Sequence, residues 1–112
     1  MLKRTPKGAQ GYYAWSSGDA SGILEVWWYD EETNEHYVAF ENRKGKGSDK
    51  SCIFAAKGSL EGNTLVAVGQ EDDNLSVTIV FDGDKATVTT SDLFKKSGWC
   101  SEGVVLDGVY AR

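Results

Sequence analysis

The sequence predicts an all-β domain, a small antiparallel eight-stranded barrel or barrel-like sandwich with one short helical turn and one disulfide. Short runs rich in β-branched and aromatic residues recur along the chain, and Gly, Asn, Asp or Ser bounds each run. The chain holds a single proline, which leaves the runs able to donate backbone hydrogen bonds. Sequential strands with apolar faces must close on themselves or pack as two sheets, and we favour the barrel. We expect strands over residues 10–16, 21–29, 35–43, 51–58, 63–68, 74–82, 84–90 and 104–111.

Strict alternation supports the strand assignments and shows which residues point inward. Leu75, Val77, Ile79 and Phe81 fall on one face of their strand by period two. The same parity places Cys52 on the face of Phe54, and Trp28 with Leu24 and Val26, so these residues are predicted to lie in the core. Asp82-Gly83 is a dipeptide favoured in tight hairpins.

One segment has helical signals. Ser91 or Asp92 suits the N-cap and Gly98 suits the C-cap. Lys95 and Lys96 lie in the last turn, where the helix dipole favours positive charge. The sequence therefore predicts one or two helical turns over residues 91–98.

The cysteines, Cys52 and Cys100, form an even pair without CxxC spacing, and His36 is the sole histidine. This composition argues against a zinc or thioredoxin-type site and favours a disulfide; two buried free thiols are the alternative. A bridge closing a loop of about fifty residues would stabilise the fold by up to about 4 kcal/mol. A disulfide also indicates an oxidising compartment, so we expect a periplasmic or secreted protein.

Length and charge restrict the domain organisation and the partners. The 112 residues suit one domain, which we place at residues 10–112 behind a flexible tail at residues 1–9. The tail is basic without an apolar signal region, and if the cysteines form a disulfide we expect that a signal peptide has been removed. No apolar run is long enough to cross a bilayer, which predicts no transmembrane segment. The net charge of −5 argues against nucleic acid and favours a basic protein partner, and the basic stretch at residues 43–50 is predicted to be a solvated loop.

The sequence gives little support for catalysis. His36 is the sole candidate for a histidine base, and we interpret it as an exposed residue at a strand end. Acidic residues are scattered without a fixed separation, and their clusters lack the spacing of a calcium-binding loop. We therefore predict no catalytic residues, no metal site and no cofactor, and a protein that is not an enzyme.

Aromatic residues offer an alternative binding site. Trp15 lies in the first predicted strand, and Trp27 and Tyr29 lie in the second. Exposed Trp and Tyr side chains favour protein interfaces and stack on sugars, so these residues are candidates for binding a small ligand or sugar. The competing interpretation is that the barrel wall and the tail cover them.

Several segments together resemble a known group of bacterial domains. They are Gly11-Tyr12-Tyr13, Ser21-Gly22-Ile23-Leu24-Glu25-Val26, Cys52-Ile53-Phe54, Gly58 with Leu60-Glu61-Gly62-Asn63-Thr64-Leu65, Val77-Thr78-Ile79 with Gly83-Asp84-Lys85-Ala86, and Cys100 with Asp107-Gly108-Val109-Tyr110. In this order they resemble small secreted bacterial β-barrel domains of the lysozyme-inhibitor type, which include the membrane-bound and periplasmic C-type lysozyme inhibitors and domains associated with the LprI family.

The resemblance implies an extracytoplasmic, non-catalytic barrel that blocks a lysozyme by inserting a loop into the enzyme cleft. Such loops often contain a Ser-Gly pair, and this chain has Ser17-Gly18 and Ser97-Gly98. The leading contact residues are Lys95, Lys96, Ser97, Gly98 and Trp99. A small-ligand or sugar-binding barrel and an immunity-like or structural protein-interaction domain are the alternative functions.

Overall fold

The computed structural model describes residues 8–30, 32–45 and 50–112. Its elements in chain order are β1 (Gly11–Ser17), β2 (Ala20–Asp30), β3 (Glu35–Lys44), β4 (Lys50–Glu61), β5 (Thr64–Gly69), β6 (Ser76–Asp82), β7 (Lys85–Thr90), α1 (Asp92–Ser97) and β8 (Gly108–Ala111). The predicted all-β class, the short helix and the disulfide are confirmed. Residues 1–7 of the predicted tail and residues 46–49 of the predicted basic loop lie outside the described residues.

The strands form a closed antiparallel barrel in which each strand pairs with the next along the chain. The long pairings of β2 with β3 and of β3 with β4 run over most of the length of these strands. The barrel closes where β8 lies between β7 and β1: Thr87 is opposite Val109, and Ala111 is opposite both Lys85 and Ala14. Closure removes the open sheet edges that would otherwise template pairing with other chains.

Period two determines which side chains fill the barrel. Val77, Ile79 and Phe81 on β6 are buried, as the alternation predicts, while Val80 between them is exposed. Aromatic residues from different strands meet inside, where Phe40 approaches Tyr110 with their ring centroids 5.9 Å apart. The buried apolar residues are Ala9, Tyr13, Leu24, Val26, Val38, Phe40, Cys52, Phe54, Ala56, Leu65, Ala67, Leu75, Val77, Ile79, Phe81, Ala86, Val88, Phe94, Val104, Leu106 and Tyr110.

The last strand is shorter than predicted. We expected it over residues 104–111, but β8 begins at Gly108. Val104 and Leu106 are buried as part of the core, yet the Val104 amide donates to the Ser101 carbonyl in a turn, 3.0 Å away. Their alternating burial imitates a strand because a loop folded over the barrel also buries alternate side chains.

Gly58 marks the place where the backbones of the paired strands β4 and β5 approach most closely in this region. A Cβ atom at Gly58 would lie 2.0 Å from the Val66 carbonyl oxygen, which is closer than atoms can approach without backbone movement. The pairing of β4 with β5 is interrupted here between Lys57 and Leu60. Glycine is therefore required for the strands to approach at this point.

Antiparallel order assigns the described connections to one of two barrel ends. The helical end carries α1, residues 98–107 and the connections β1–β2 and β5–β6. The opposite end carries residues 8–10 and the connections β2–β3, β4–β5 and β6–β7. Within the described ranges, no helix is long and apolar enough to span a bilayer.

The C-terminal arginine closes the opposite end. The Arg112 guanidinium donates to the carbonyl oxygens of Gly8 and Gln10, at 2.8 and 2.6 Å, and to the Asp84 carboxylate at 3.1 Å. It also lies over the Tyr13 ring, 5.1 Å from the centroid. These contacts tie the segment before β1 to the β6–β7 hairpin.

Candidate functional site

The short helix α1 is capped as its sequence predicts. The Ser91 hydroxyl accepts a hydrogen bond from the Phe94 amide, 3.2 Å away, and Gly98 ends the helix with φ of 75°. Phe94 is buried, and the Phe94 and Phe54 rings meet edge to face with their centroids 4.9 Å apart. The helix is therefore fixed over the helical end of the barrel by its one large apolar side chain on the barrel side.

The predicted disulfide joins Cys52, near the start of β4, to Cys100, just after α1. Cys52 is buried on the same face as Phe54, as the strand parity predicts. Cys100 packs against the same core from the loop side. The bridge therefore attaches the segment that follows α1 directly to the barrel wall.

Residues 99–101 also cover the part of the β4 edge that β5 leaves open. The pairing of β5 with β4 begins at Ala56, so the backbone polar groups nearer the start of β4 need other partners. The Trp99 indole Nε1 donates to the Ile53 carbonyl at 2.8 Å. The Ser101 amide donates to the Ser51 carbonyl at 3.1 Å, and the Ser51 amide donates back to the Ser101 hydroxyl at 3.2 Å. The segment after α1 therefore replaces a neighbouring strand along this edge.

Lys95 is held by groups on both sides of the helix. Its ammonium donates to the Thr90 carbonyl at 2.6 Å and reaches the Asp107 carboxylate at 3.4 Å. The Asp107 carboxylate also accepts from the Thr90 hydroxyl at 2.6 Å and from the Thr90 amide at 3.2 Å. Lys95 therefore joins the end of β7 to the residue before β8, and half of its side chain surface is exposed.

The remaining predicted contact residues form one continuous exposed stretch, Lys96–Trp99. The Ser97 hydroxyl is occupied, since it donates to the Phe94 carbonyl at 2.7 Å and accepts from the Trp99 amide at 3.1 Å. Lys96 and Gly98 are exposed, and the Trp99 side chain is 36% exposed despite its bond to β4. The structure thus places Lys96, Gly98 and Trp99 at the surface of the helical end, while Ser97 shapes the backbone beneath them.

A cavity of about 500 Å³ opens between α1 and residues 98–107, which we name the end cavity. Its apolar lining includes Phe94, Trp99, Val104 and Leu106. Its charged lining consists of Lys95, Glu102 and Asp107. The end cavity is therefore an apolar hollow with charged groups at its margin.

The alternative aromatic site is divided by the barrel wall. Trp27 and Tyr29 face outward with Tyr12, and the Tyr12 and Trp27 rings meet edge to face at 5.5 Å. The Trp27 Nε1 donates to the Glu25 carboxylate at 3.1 Å, and the Lys57 ammonium lies 4.1 Å from the Tyr29 ring centroid. We name Tyr12, Trp27 and Tyr29 the outer aromatic face.

Trp15 lies on the other side of the wall from the outer aromatic face. It packs against the core, where its ring lies 6.5 Å from that of Tyr110. The structure therefore does not bring Trp15 together with Trp27 and Tyr29.

The sequence did not lead us to predict a buried polar network around Asn42 inside the barrel. The Asn42 amide donates to the Val105 carbonyl at 3.0 Å and to the Tyr110 hydroxyl at 2.8 Å. The Tyr110 hydroxyl donates in turn to the Leu106 carbonyl at 2.7 Å, and burial raises the pKa of Tyr110. Period two from Phe40 already places Asn42 inward, so the alternation of β3 was the available signal. Nothing in the sequence indicated that Asn42 holds the loop before β8.

The interpretation of His36 as an exposed residue is wrong. His36 is 1% exposed, and its ring stacks on Trp28 with a centroid distance of 4.5 Å. Nδ1 lies 3.0 Å from the Asn34 carbonyl, which can only accept, so Nδ1 carries the proton. Burial lowers the pKa of His36, while the hydrogen bond to Asn34 opposes this change. His36 is a core residue because the inward-facing alternation of β3 already begins at its second residue. Burial therefore keeps the histidine neutral.

In the part of the chain that the structure describes, no three His, Cys, Asp or Glu side chains are grouped to hold a metal ion. No known protein family, curated protein or solved structure matches this chain. The end cavity, the exposed stretch beside it and the outer aromatic face are therefore the features from which a function is argued.

Proposed function

We propose that this chain is a non-catalytic, extracytoplasmic binding domain that inhibits a lysozyme or related cell-wall hydrolase by inserting the Lys95–Trp99 segment into the enzyme cleft. The observation that carries the proposal is that this segment is rigidly fixed to the barrel while Lys96, Gly98 and Trp99 within it are exposed. The hydrogen bonds of Lys95 and Ser97 support a division of roles within the proposed contact. Lys96, Gly98 and Trp99 make the contact, whereas Lys95 and Ser97 position the backbone.

Rigidity supports the proposal because a loop that is already ordered loses little conformational entropy on binding. The segment is fixed on one side by the Ser91 cap and buried Phe94. On the other side it is fixed by the disulfide at Cys100 and by the Trp99 bond to β4. It is therefore prepared to enter a cleft without rearrangement.

Charge supports the choice of partner. Glycoside hydrolases cleave with a pair of carboxyl groups in the cleft, to which an inserted ammonium such as that of Lys96 is complementary. The net charge of −5 on the whole chain favours encounter with a basic protein through long-range attraction. The segment is thus locally cationic on a chain that is acidic overall.

The disulfide supports an extracytoplasmic location. Reducing cytosol keeps thiols apart, whereas the periplasm and the extracellular space allow a structural bridge to persist. These are also the compartments in which cell-wall hydrolases act. Location and partner therefore agree.

The proposal is tested by measuring the equilibrium affinity of the chain for a C-type lysozyme, with a charge reversal at each end of the barrel. Lys96→Glu is expected to weaken binding at least about tenfold, because it places a carboxylate among the cleft carboxylates. Lys85→Glu is the matched control, since it changes the net charge equally at the opposite end, where β7 begins. The control is expected to retain the wild-type affinity within about twofold at physiological salt.

Absence of binding by the wild-type protein would refute the proposal for this class of lysozyme. An equal loss of affinity in the two variants would also refute the contact, because it would show that binding depends on overall charge alone.

A second candidate function is sugar binding by the outer aromatic face. The exposed Tyr12, Trp27 and Tyr29 rings beside Glu25 combine stacking surfaces with a hydrogen-bonding carboxylate. Quenching of tryptophan fluorescence by soluble oligosaccharides, lost in Trp27→Ala and without any effect on lysozyme turnover, would favour this candidate over the inhibitor.

A further inference from the structure

We propose that the end cavity is a binding site for a small amphipathic amine, a ligand with an apolar body and a single ammonium head. The site does not depend on the proposed lysozyme contact. Its support comes from the size, the fixed walls and the charge of the cavity.

The dimensions of the end cavity suit a small molecule. Its volume of about 500 Å³ falls within the range of about 300–1,000 Å³ that small-molecule sites occupy, and barrel mouths are common positions for such sites. Trp99 and Val105 contribute exposed apolar surface to its lining, beside buried Phe94. An alkyl chain or an aromatic ring entering the cavity would remove this surface from water.

The walls of the cavity are held apart by bonds within the chain. The loop wall is attached outward to β4 through the Cys100 disulfide, the Trp99 indole and the Ser101 amide. Gly98 and Gly103 line the cavity without side chains; a Cβ atom at Gly98 would meet no atom within 4 Å, and one at Gly103 would lie 3.7 Å from the Lys44 Nζ. The cavity is therefore preformed, so a ligand need not open it.

The charges around the cavity select the head group. Lys95 and Asp107 are partners at 3.4 Å and largely neutralise each other. Glu102 adds an exposed carboxylate, so the lining itself has one more negative than positive charge, while the Lys44 ammonium lies outside the lining beside Gly103. Trp99 also lines the cavity, and an indole ring attracts a cation placed over its face. An ammonium head is therefore favoured, whereas a carboxylate head would meet the carboxylate of Glu102.

The test compares three ligands with the same tail and different heads, n-octylammonium, n-octanol and n-octanoate, by calorimetric titration below their aggregation concentrations. We expect n-octylammonium to bind most tightly and n-octanoate most weakly. NMR spectra of the ¹⁵N-labelled protein locate the site, and the Gly98 and Gly103 amides are expected to shift together with that of Phe94. Shifts confined to the outer aromatic face, an octanoate affinity equal to or above that of octylammonium, or no saturable binding would each overturn the proposal.

A pair of matched variants tests the role of Glu102. Glu102→Gln removes the carboxylate at the cavity and is expected to weaken octylammonium binding by about two- to fivefold, as for a partly exposed ion pair, with octanol binding unchanged. Glu61→Gln makes the same change of net charge at the opposite end of the barrel, where β4 ends, and is expected to leave both affinities unchanged. Equal effects of the two variants on octylammonium would overturn the assignment of the head group.

Discussion

At the scale of single residues, the protonation of His36 depends on its burial in the barrel. Removal from water favours the neutral ring, so burial lowers the pKa of His36, with the hydrogen bond to the Asn34 carbonyl opposing the shift. The unfolded chain regains the ordinary pKa of about 6.5. Below that pH the unfolded chain binds a proton that the folded chain does not, and the folded state loses stability as the pH falls from about 6.5 toward the folded pKa.

We therefore predict that the melting temperature falls more between pH 7.5 and pH 5.5 in the wild type than in His36→Gln. One proton changes the free energy of unfolding by at most about 1.4 kcal/mol per pH unit, which limits the difference. Thermal melts of both proteins in the same buffers measure it, and the comparison cancels the contribution of carboxylates. Parallel declines in the two proteins would contradict the assignment of His36 as a buried neutral group.

Other single residues have roles that only their partners reveal. Lys95 was predicted as a contact residue, yet its ammonium lies on Thr90 and Asp107. Asp107 is distant in sequence from the helix, and no local pattern indicates that a carboxylate will return to it. Residue type and parity therefore predict the side of the wall but not the neighbour.

At the scale of elements, the close approach of the β4 and β5 backbones depends on the absence of a side chain at Gly58. A Cβ atom there would overlap the Val66 carbonyl, which belongs to the backbone and has no freedom to rotate away. The strands would have to separate at a point where their ladder is already interrupted. Gly58 is thus a structural requirement of the barrel wall.

We predict that Gly58→Ala lowers the free energy of unfolding by about 3 kcal/mol, as expected for severe overpacking. Gly62→Ala is the matched control in the adjoining turn, where φ is 64° and a Cβ atom would meet open space. The control is expected to cost about 1 kcal/mol, from the left-handed backbone alone. Urea unfolding of the wild type and the two variants measures both values, and equal losses of unfolding free energy would contradict the close approach of the two strands.

The boundaries of elements were predictable where a local signal ends them. The Ser91 cap and Gly98 bound α1 as the sequence indicates, because capping depends on neighbouring residues. The start of β8 was not predictable, because Val104 and Leu106 alternate like a strand while packing from a loop. A strand and this loop both bury every second side chain, so the two cannot be distinguished from the sequence pattern alone.

At the scale of the whole molecule, one covalent bond attaches the helical end to the barrel. The Cys52–Cys100 disulfide spans 48 residues of sequence, so it restricts the unfolded chain strongly. It also fixes the segment on which both proposals depend. Stability and binding are therefore linked through the same bond.

We predict that Cys52→Ser/Cys100→Ser lowers the free energy of unfolding by up to about 4 kcal/mol relative to the oxidised wild type. Urea unfolding with and without a reductant measures the effect. Reduction is expected to bring the wild type to the stability of the double variant and to leave the double variant unchanged. Indifference of the wild type to a reductant would contradict a structural role for the bridge.

The fold class was predictable from the sequence because strand alternation, turn residues and a core-facing cysteine all agree with an all-β domain, for which a barrel or a barrel-like sandwich was expected. Cys52 and Phe54 show this agreement, since their shared face is the one that the core occupies. The candidate site was predictable only as a stretch of sequence. The end cavity depends on how residues 98–107 pass over α1, which is a long-range property that neither Trp99 nor Asp107 signals by itself.

Turnover of a C-type lysozyme in the presence of increasing amounts of the oxidised protein is the most direct test of the central claim, that the helical end blocks a cell-wall hydrolase. The account predicts that turnover falls to near zero as the added protein approaches and exceeds the enzyme concentration, and that Lys96→Glu shifts this curve to higher concentration. Full turnover at saturating amounts of the oxidised, folded protein would contradict it.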